Sequence, residues 1–190
     1  MIIPEPTDIK ENITPGKRLY RGFFDKKDLI RYRNNGISPD VPLNINSLSP
    51  SKIIKLLYGE PQKHIREIEK GRFVSFSFQK PVASYYATDS YKGLGYIAIV
   101  EFPDISKAIT IDLRGPYMYE CTDDTIWIDL RSLLILDAEN INVWSRTLVD
   151  HELLLLHGVI RPRPTDIIPV RPEDCDRNFR PWKDWGEKIR

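Results

Sequence analysis

The chain has 190 residues, a length suited to one compact domain, and its 41% hydrophobic and 11% aromatic content is enough to fill a core. Lys and Arg total 28 against 27 Asp and Glu, a formal charge of +1, so the overall balance gives no sign of a polyanion-coating or membrane-surface protein and leaves only a local basic groove open. The start MIIPEPTDIKENITPGKR lacks the basic residues and apolar run of a secretory signal, and no later stretch is long enough to cross a bilayer. The expectation is a soluble protein, cytoplasmic or delivered by a secretion system.

Residues 1–16, with Pro4, Pro6 and Pro15, read as an extended lead-in to a domain over 17–170. A short strand at 17–22 closes on Gly22, and 25–34 reads as a helix ending at Gly36. Ser49-Pro50 resembles an N-cap with proline at the first helical position, and a second short helix at 62–70 ends at Gly71. Strands then dominate. Residues 73–78, 96–102, 108–113, 125–130 and 152–156 are rich in β-branched, leucine or aromatic residues, and 81–91 between the first two has helical character. Helices early and strands late predict an α+β fold. The tail, 171–190, carries Pro172, Pro181, Trp182 and Trp185, and is expected to wrap the same domain in extended form.

In FVSFSF the period of two sets Phe73, Ser75 and Ser77 on one face and Val74, Phe76 and Phe78 on the other. Asp150 and Glu152 share a side of the chain if a strand begins there, with Leu154 and Leu156 further in. Taken singly, strand serines are mostly packing residues, Asp150 and Glu152 solvated charges, and Arg21 a surface cation. Cys121 and Cys175 fit no zinc spacing and are too few for a disulfide scaffold, so both read as free thiols. His151 and His157 have no third ligand in view, and no metal is expected.

Taken together and in order, Leu19-Tyr20-Arg21, Phe73-Val74-Ser75-Phe76-Ser77 and Asp150-His151-Glu152, followed by Gly158-Val159-Ile160, resemble the motifs of the arginine–serine–glutamate class of ADP-ribosyltransferases. The cholera toxin and heat-labile enterotoxin branch is the most similar, over roughly residues 19–170 at low identity. The resemblance implies two packed antiparallel or mixed sheets around an NAD⁺ cleft, with flanking helices. It implies NAD⁺ as substrate, a macromolecular acceptor that is protein or nucleic acid, a toxin or effector role, and a cognate immunity or antitoxin protein as partner.

Breaking the nicotinamide–ribose bond leaves an oxocarbenium-like sugar that a carboxylate can stabilise while holding a ribose hydroxyl, the role implied for Glu152. No His–Asp arrangement makes Ser75 a hydrolase nucleophile, so its hydroxyl is expected to orient Glu152, with Ser77 assisting. The fork of Arg21 suits the diphosphate, and Gly22 beside it lets the backbone approach the ligand. Arg18 is the rival cation. Trp144 falls where the family's acceptor-recognition loop lies. Two positions before the key glutamate, family members that modify arginine carry Glu and several others Gln; here Asp150, a shorter base, stands in that place. Phe23 occupies a position that is acidic in the enterotoxins, and their histidine before the serine motif aligns with neither His64 nor any other residue. Two other readings follow: an NAD⁺ glycohydrolase, for which water needs no acceptor recognition, and a non-catalytic α+β binding domain whose Trp182 and Trp185 tail docks a partner.

Overall fold

A computed structural model of the chain describes residues 13–39, 74–110, 117–129, 152–157 and 161–176. Among them are the strands β1 (Arg18–Phe23), β2 (Val74–Ser77), β3 (Gly95–Glu101), β4 (Ile105–Thr110), β5 (Tyr117–Cys121), β6 (Ile126–Asp129), β7 (Glu152–His157) and β8 (Asp166–Val170). The helices α1 (Lys26–Asn35) and α2 (Lys80–Ala87) follow β1 and β2. The fold is α+β. The strands form one sheet in the order β4-β5-β6-β7-β2-β1-β3-β8, antiparallel at every described pairing.

Local chemistry explains the elements. Asp25 caps α1 by accepting from the Lys27 N–H at 2.8 Å, and Gly36 ends the helix in the left-handed region at φ 74°, donating to the Tyr32 carbonyl. Helix α2 begins with proline in its first turn and ends at Thr88, whose hydroxyl donates to the Ser84 carbonyl at 2.8 Å. Asp89, Ser90 and Tyr91 then adopt positive φ, so the helix expected over 81–91 stops at Ala87. Strand β8 carries Pro169 and lies at the sheet edge, where a missing N–H breaks no ladder. Neither β8 nor β5 is among the strands expected from the sequence.

One connection shows the sheet's curvature. Strands β3 and β4 stand six ladder steps apart, about 29 Å in a flat sheet at ~4.8 Å per step. Yet only residues 102–104 join them, a reach of about 14 Å at most. The ladder therefore folds over, and its two halves enclose the main core. Phe102, just after β3, meets Trp127 of β6 at 5.5 Å between ring centroids, and Trp127 meets Phe76 of β2 at 5.2 Å. Leu19, Phe23, Tyr32, Val74, Phe76, Val100, Phe102, Trp127, Leu153 and Leu155 are all buried in this cluster. Each such ring pair adds about 0.5–1.5 kcal/mol beyond the area it buries. The two expected sheets are thus one continuous antiparallel ladder facing itself.

The opposite face of β1 and β3 takes α2, with Ala83, Ala87, Ile97, Val170 and Cys175 forming a second cluster. Residues at the start of the tail, Cys175 among them, pack against the main domain there, and the Tyr91 hydroxyl donates to the Asp176 carbonyl at 3.4 Å. The expected helices at 49–59 and 62–70, Trp182 and Trp185 lie outside the described residues. Among the described residues no helix is long and apolar enough to cross a membrane.

Both cysteines are buried and unbridged. Burial pushes the Cys121 thiol up to about 12, with Asp123 and Asp104 raising it further and a hydrogen bond with Thr125 opposing the rise. A folded value above the ordinary 9.0 means the fold favours the neutral thiol. That contribution is complete below pH 9.0, and it is lost as pH climbs toward 12. Native protein at pH 8 should therefore leave Cys121 unmodified by iodoacetamide, while urea-unfolded protein reacts at once. Equal labelling of the two states, read by peptide mass spectrometry, would contradict the buried thiol.

Candidate functional site

Strands β7, β2 and β1 are neighbours in the sheet, and they carry Glu152, Ser75 with Ser77, and Arg21. Positions far apart in the chain thus meet across three adjacent strands. In the β2–β7 register, Ser77 pairs with Glu152 and Ser75 with Leu154. Ser77 is the direct neighbour of position 152, and Ser75 is its diagonal neighbour on the same face, about 7–8 Å away between backbones. The alternation read from FVSFSF is present, with Val74 and Phe76 in the core and the serines on the other face.

The two serines have different surroundings. Ser77 is buried at 5% exposure, and its hydroxyl accepts from the Gln79 N–H at 3.0 Å, setting the turn into α2. Ser75 is half-buried, and its carbonyl accepts from Arg21 Nη1 at 3.0 Å.

That last bond arises because β1 and β2 barely pair. Tyr20 opposite Ser77 is the one register pair described between them, whereas β1 pairs with β3 along six positions. Beyond Tyr20 no further register pair is described between the two strands, and there the Ser75 carbonyl accepts from the Arg21 side chain. The arginine stands opposite Ala98 on the core side of β1, between Leu19 and Phe23, and its guanidinium reaches across the opening. Its Nε donates to the Tyr32 hydroxyl at 3.1 Å, so α1, β1 and β2 are joined through one side chain. Of the five guanidinium N–H groups, these bonds use two, and among the described residues the rest have no protein partner.

Arg21→Met should cost about 1.5–3 kcal/mol, because two bonds from a charged donor vanish and the Ser75 carbonyl is left half-buried without it. The measurement is the urea midpoint at unchanged slope. A midpoint equal to that of the unaltered chain would show that the bridge carries no stability.

Gly22 has a packing requirement of its own. A Cβ at position 22 would lie 2.0 Å from the Ala83 carbonyl oxygen and 2.7 Å from the Ala87 nitrogen, so the close approach of α2 by itself requires a glycine here. Arg18, the rival cation, is exposed at the start of β1. Asp150, His151 and Trp144 lie outside the described residues.

Arg31, on α1, is not among the candidates expected from the sequence. Its Nη2 lies 3.4 Å from the same Tyr32 hydroxyl that Arg21 reaches, and 2.9 Å from Asp28. On sequence it reads as an ordinary helix-surface charge three residues from an acid; its proximity to Arg21 comes only from the docking of α1. Among the described residues no group of three or more His, Cys, Asp or Glu side chains gathers for a metal. Compared with known proteins, the chain matches no protein-family model and no curated protein.

Proposed function

We propose that this chain cleaves the nicotinamide–ribose bond of NAD⁺ and transfers ADP-ribose to a macromolecular acceptor, protein or nucleic acid, as a toxin or effector. The observation that carries the reading is the adjacency of β1, β2 and β7, with Arg21 spanning the β1–β2 opening to the Ser75 carbonyl. Residues in the motif order of an arginine–serine–glutamate transferase occupy the strands such chemistry needs side by side. Arg21 stands on the core side of β1, and the serines with position 152 on the opposite face of the sheet, so a dinucleotide threading the β1–β2 opening would meet Arg21 on one side and the serine face on the other.

In this reading the C1′–N bond breaks with its electron pair leaving on nicotinamide, and the Glu152 carboxylate offsets the positive charge on the ribose. Glu152 also holds a ribose hydroxyl, and Ser75 orients the carboxylate from the diagonal position. The unbonded N–H groups of Arg21 engage the diphosphate. Asp150 takes the proton of the attacking acceptor as the new C1′ bond forms, and Trp144 contacts that acceptor. The short carboxylate of Asp150, where transferases of this class carry Glu or Gln, also favours a second reading in which water attacks and free ADP-ribose is released.

Incubation with NAD⁺ labelled in its adenylate half, with separate pools of protein, DNA and RNA, distinguishes the two. Transfer predicts label in one pool, dependent on Glu152. Free labelled ADP-ribose with no labelled polymer supports hydrolysis, and label that persists with Glu152→Ala would sink both.

A further inference from the structure

We infer that Arg33, Arg161 and Arg163 form a strip that binds the phosphate backbone of nucleic acid, which makes nucleic acid the acceptor class of the proposed transfer; that last step rests on the reading above. The strip has a covalent cause. Arg161 and Arg163 each precede a proline, and clash with the proline ring holds such residues extended. Exposure alternates accordingly: Arg161, Arg163 and Thr165 are exposed, while Pro162 and Pro164 are half-buried. The two arginines therefore leave the chain two residues apart, about 6–7 Å, close to the separation of successive phosphates on one nucleic-acid strand. The segment is pinned at both ends. The Pro162 carbonyl accepts from the Ile37 N–H at 2.9 Å, just past α1, and the Thr165 N–H donates to the Ile99 carbonyl of β3 at 2.8 Å. A Cβ on Gly36 would lie 2.9 Å from that of Arg161, so Arg161 sits against the end of α1 whose last turn carries the exposed Arg33.

The charges of the strip are not balanced locally. Among the described residues none of these three arginines makes an ion pair, whereas Arg31, Lys92 and Arg171 each meet an acid. The acids of the adjoining strands are placed elsewhere: Asp166 stands opposite Ile99, which packs in the α2 cluster, and Glu101 stands opposite Arg18. The overall charge of +1 hides this local excess. What the strip lacks decides the partner. Protein interfaces are built on apolar or aromatic centres, and amphipathic membrane-binding surfaces on an apolar face. Among the described residues the exposed large apolar side chains are Phe24 and Leu94, at the ends of β1 and β3 away from Thr165, and Ile30 on α1. Segment 161–165 itself exposes two arginines and a threonine. A phosphate backbone needs no apolar centre. It takes forked donors at regular spacing, each displacing counterions.

Fluorescence anisotropy of the full chain with labelled single-stranded RNA, single-stranded DNA and duplex DNA, measured across a salt series, tests the strip. Binding should be insensitive to base sequence. Arg33→Gln, Arg161→Gln and Arg163→Gln should each reduce the slope of log affinity against log salt by about 1, and the three together by about 2–3. The three positions changed together to lysine keep the charges and should keep the slope. Arg171→Gln, past the far end of β8 and 3.8 Å from Glu173, should leave it unchanged. An unaltered slope in the triple glutamine variant overturns the strip, as does a triple lysine variant or Arg171→Gln that flattens it equally. An unaltered chain that binds no oligonucleotide overturns it too. Polyglutamate competing as well as RNA overturns nucleic acid in favour of an acidic protein. NAD⁺ cleavage by a chain that labels only protein and binds no oligonucleotide removes the strip and leaves the proposed activity standing. Arginine-dependent oligonucleotide binding by a chain that leaves NAD⁺ intact removes the activity and keeps the strip.

Discussion

Glu152→Gln should lower NAD⁺ cleavage by about 10²–10³-fold, the loss expected when a charge aimed at a developing transition-state charge is removed. The substitution keeps the size of the side chain and the β7 backbone, so the pairing of position 152 with Ser77 is preserved. The amide still offers an oxygen to a ribose hydroxyl but no longer opposes the positive charge on the sugar. The loss should therefore fall on kcat, with KM for NAD⁺ changed little. A fall in kcat/KM through KM alone would make Glu152 a binding residue with no part in bond breaking. Ser75→Ala should act in the same direction and more weakly, because a serine that orients the carboxylate affects the reaction only through it.

Gly95→Ala and Gly22→Ala should be the most destabilising single changes in the described part of the fold. A Cβ at position 95 would lie 1.7 Å from the Ala87 carbonyl oxygen and 2.3 Å from its carbon; at position 22 the nearest atom is the Ala83 carbonyl oxygen at 2.0 Å. These are helix backbone atoms, which cannot rotate aside as a side-chain tip can. Relief requires α2 to lift from β1 and β3, opening the cluster of Ala83, Ala87, Ile97 and Val170. The loss should reach or exceed the upper end of the about 1–3 kcal/mol usual for overpacking. For a chain of this size that is a melting temperature lower by roughly 6–12 °C. Gly22→Ala with an unchanged melting temperature but lost NAD⁺ cleavage would return Gly22 to the ligand-approach role that its place beside Arg21 suggests.

Much of the fold could be read from local pattern. The alternation in FVSFSF has a direct physical cause, the period of a strand with one buried face, and Val74, Phe76, Ser75 and Ser77 stand accordingly. Asp25 and Gly36 bracket α1 because each satisfies backbone groups the helix leaves open. What local pattern does not contain is ladder order. Nothing in 105–110 or 117–121 tells that β4 and β5 extend the sheet beyond β6, nor that a three-residue link must then curl it. Strand β8 hides behind its one proline, since only an edge position makes Pro169 tolerable.

The site divides along the same line. Ser75 and Glu152 are visible as residues on strand faces, but the diagonal relation between them, and the closer match of Ser77 to Glu152, depend on register. Arg21 was read from motif order, yet its bond to the Ser75 carbonyl exists because β1 and β2 share a single described pair. Gly22 shows the converse: a glycine beside a candidate binding arginine suggests a ligand, and the fold adds a requirement invisible in the sequence, a helix packed on the other face. Arg31 carries no signal at all until α1 is docked.

Release of nicotinamide from NAD⁺ by the purified chain, followed by chromatography with and without protein, DNA and RNA, decides whether the protein breaks the nicotinamide–ribose bond. Nicotinamide should appear in proportion to enzyme and time and fall sharply with Glu152→Gln. NAD⁺ that stays intact under every condition, or nicotinamide released as fast by Glu152→Gln, would contradict Glu152-dependent cleavage.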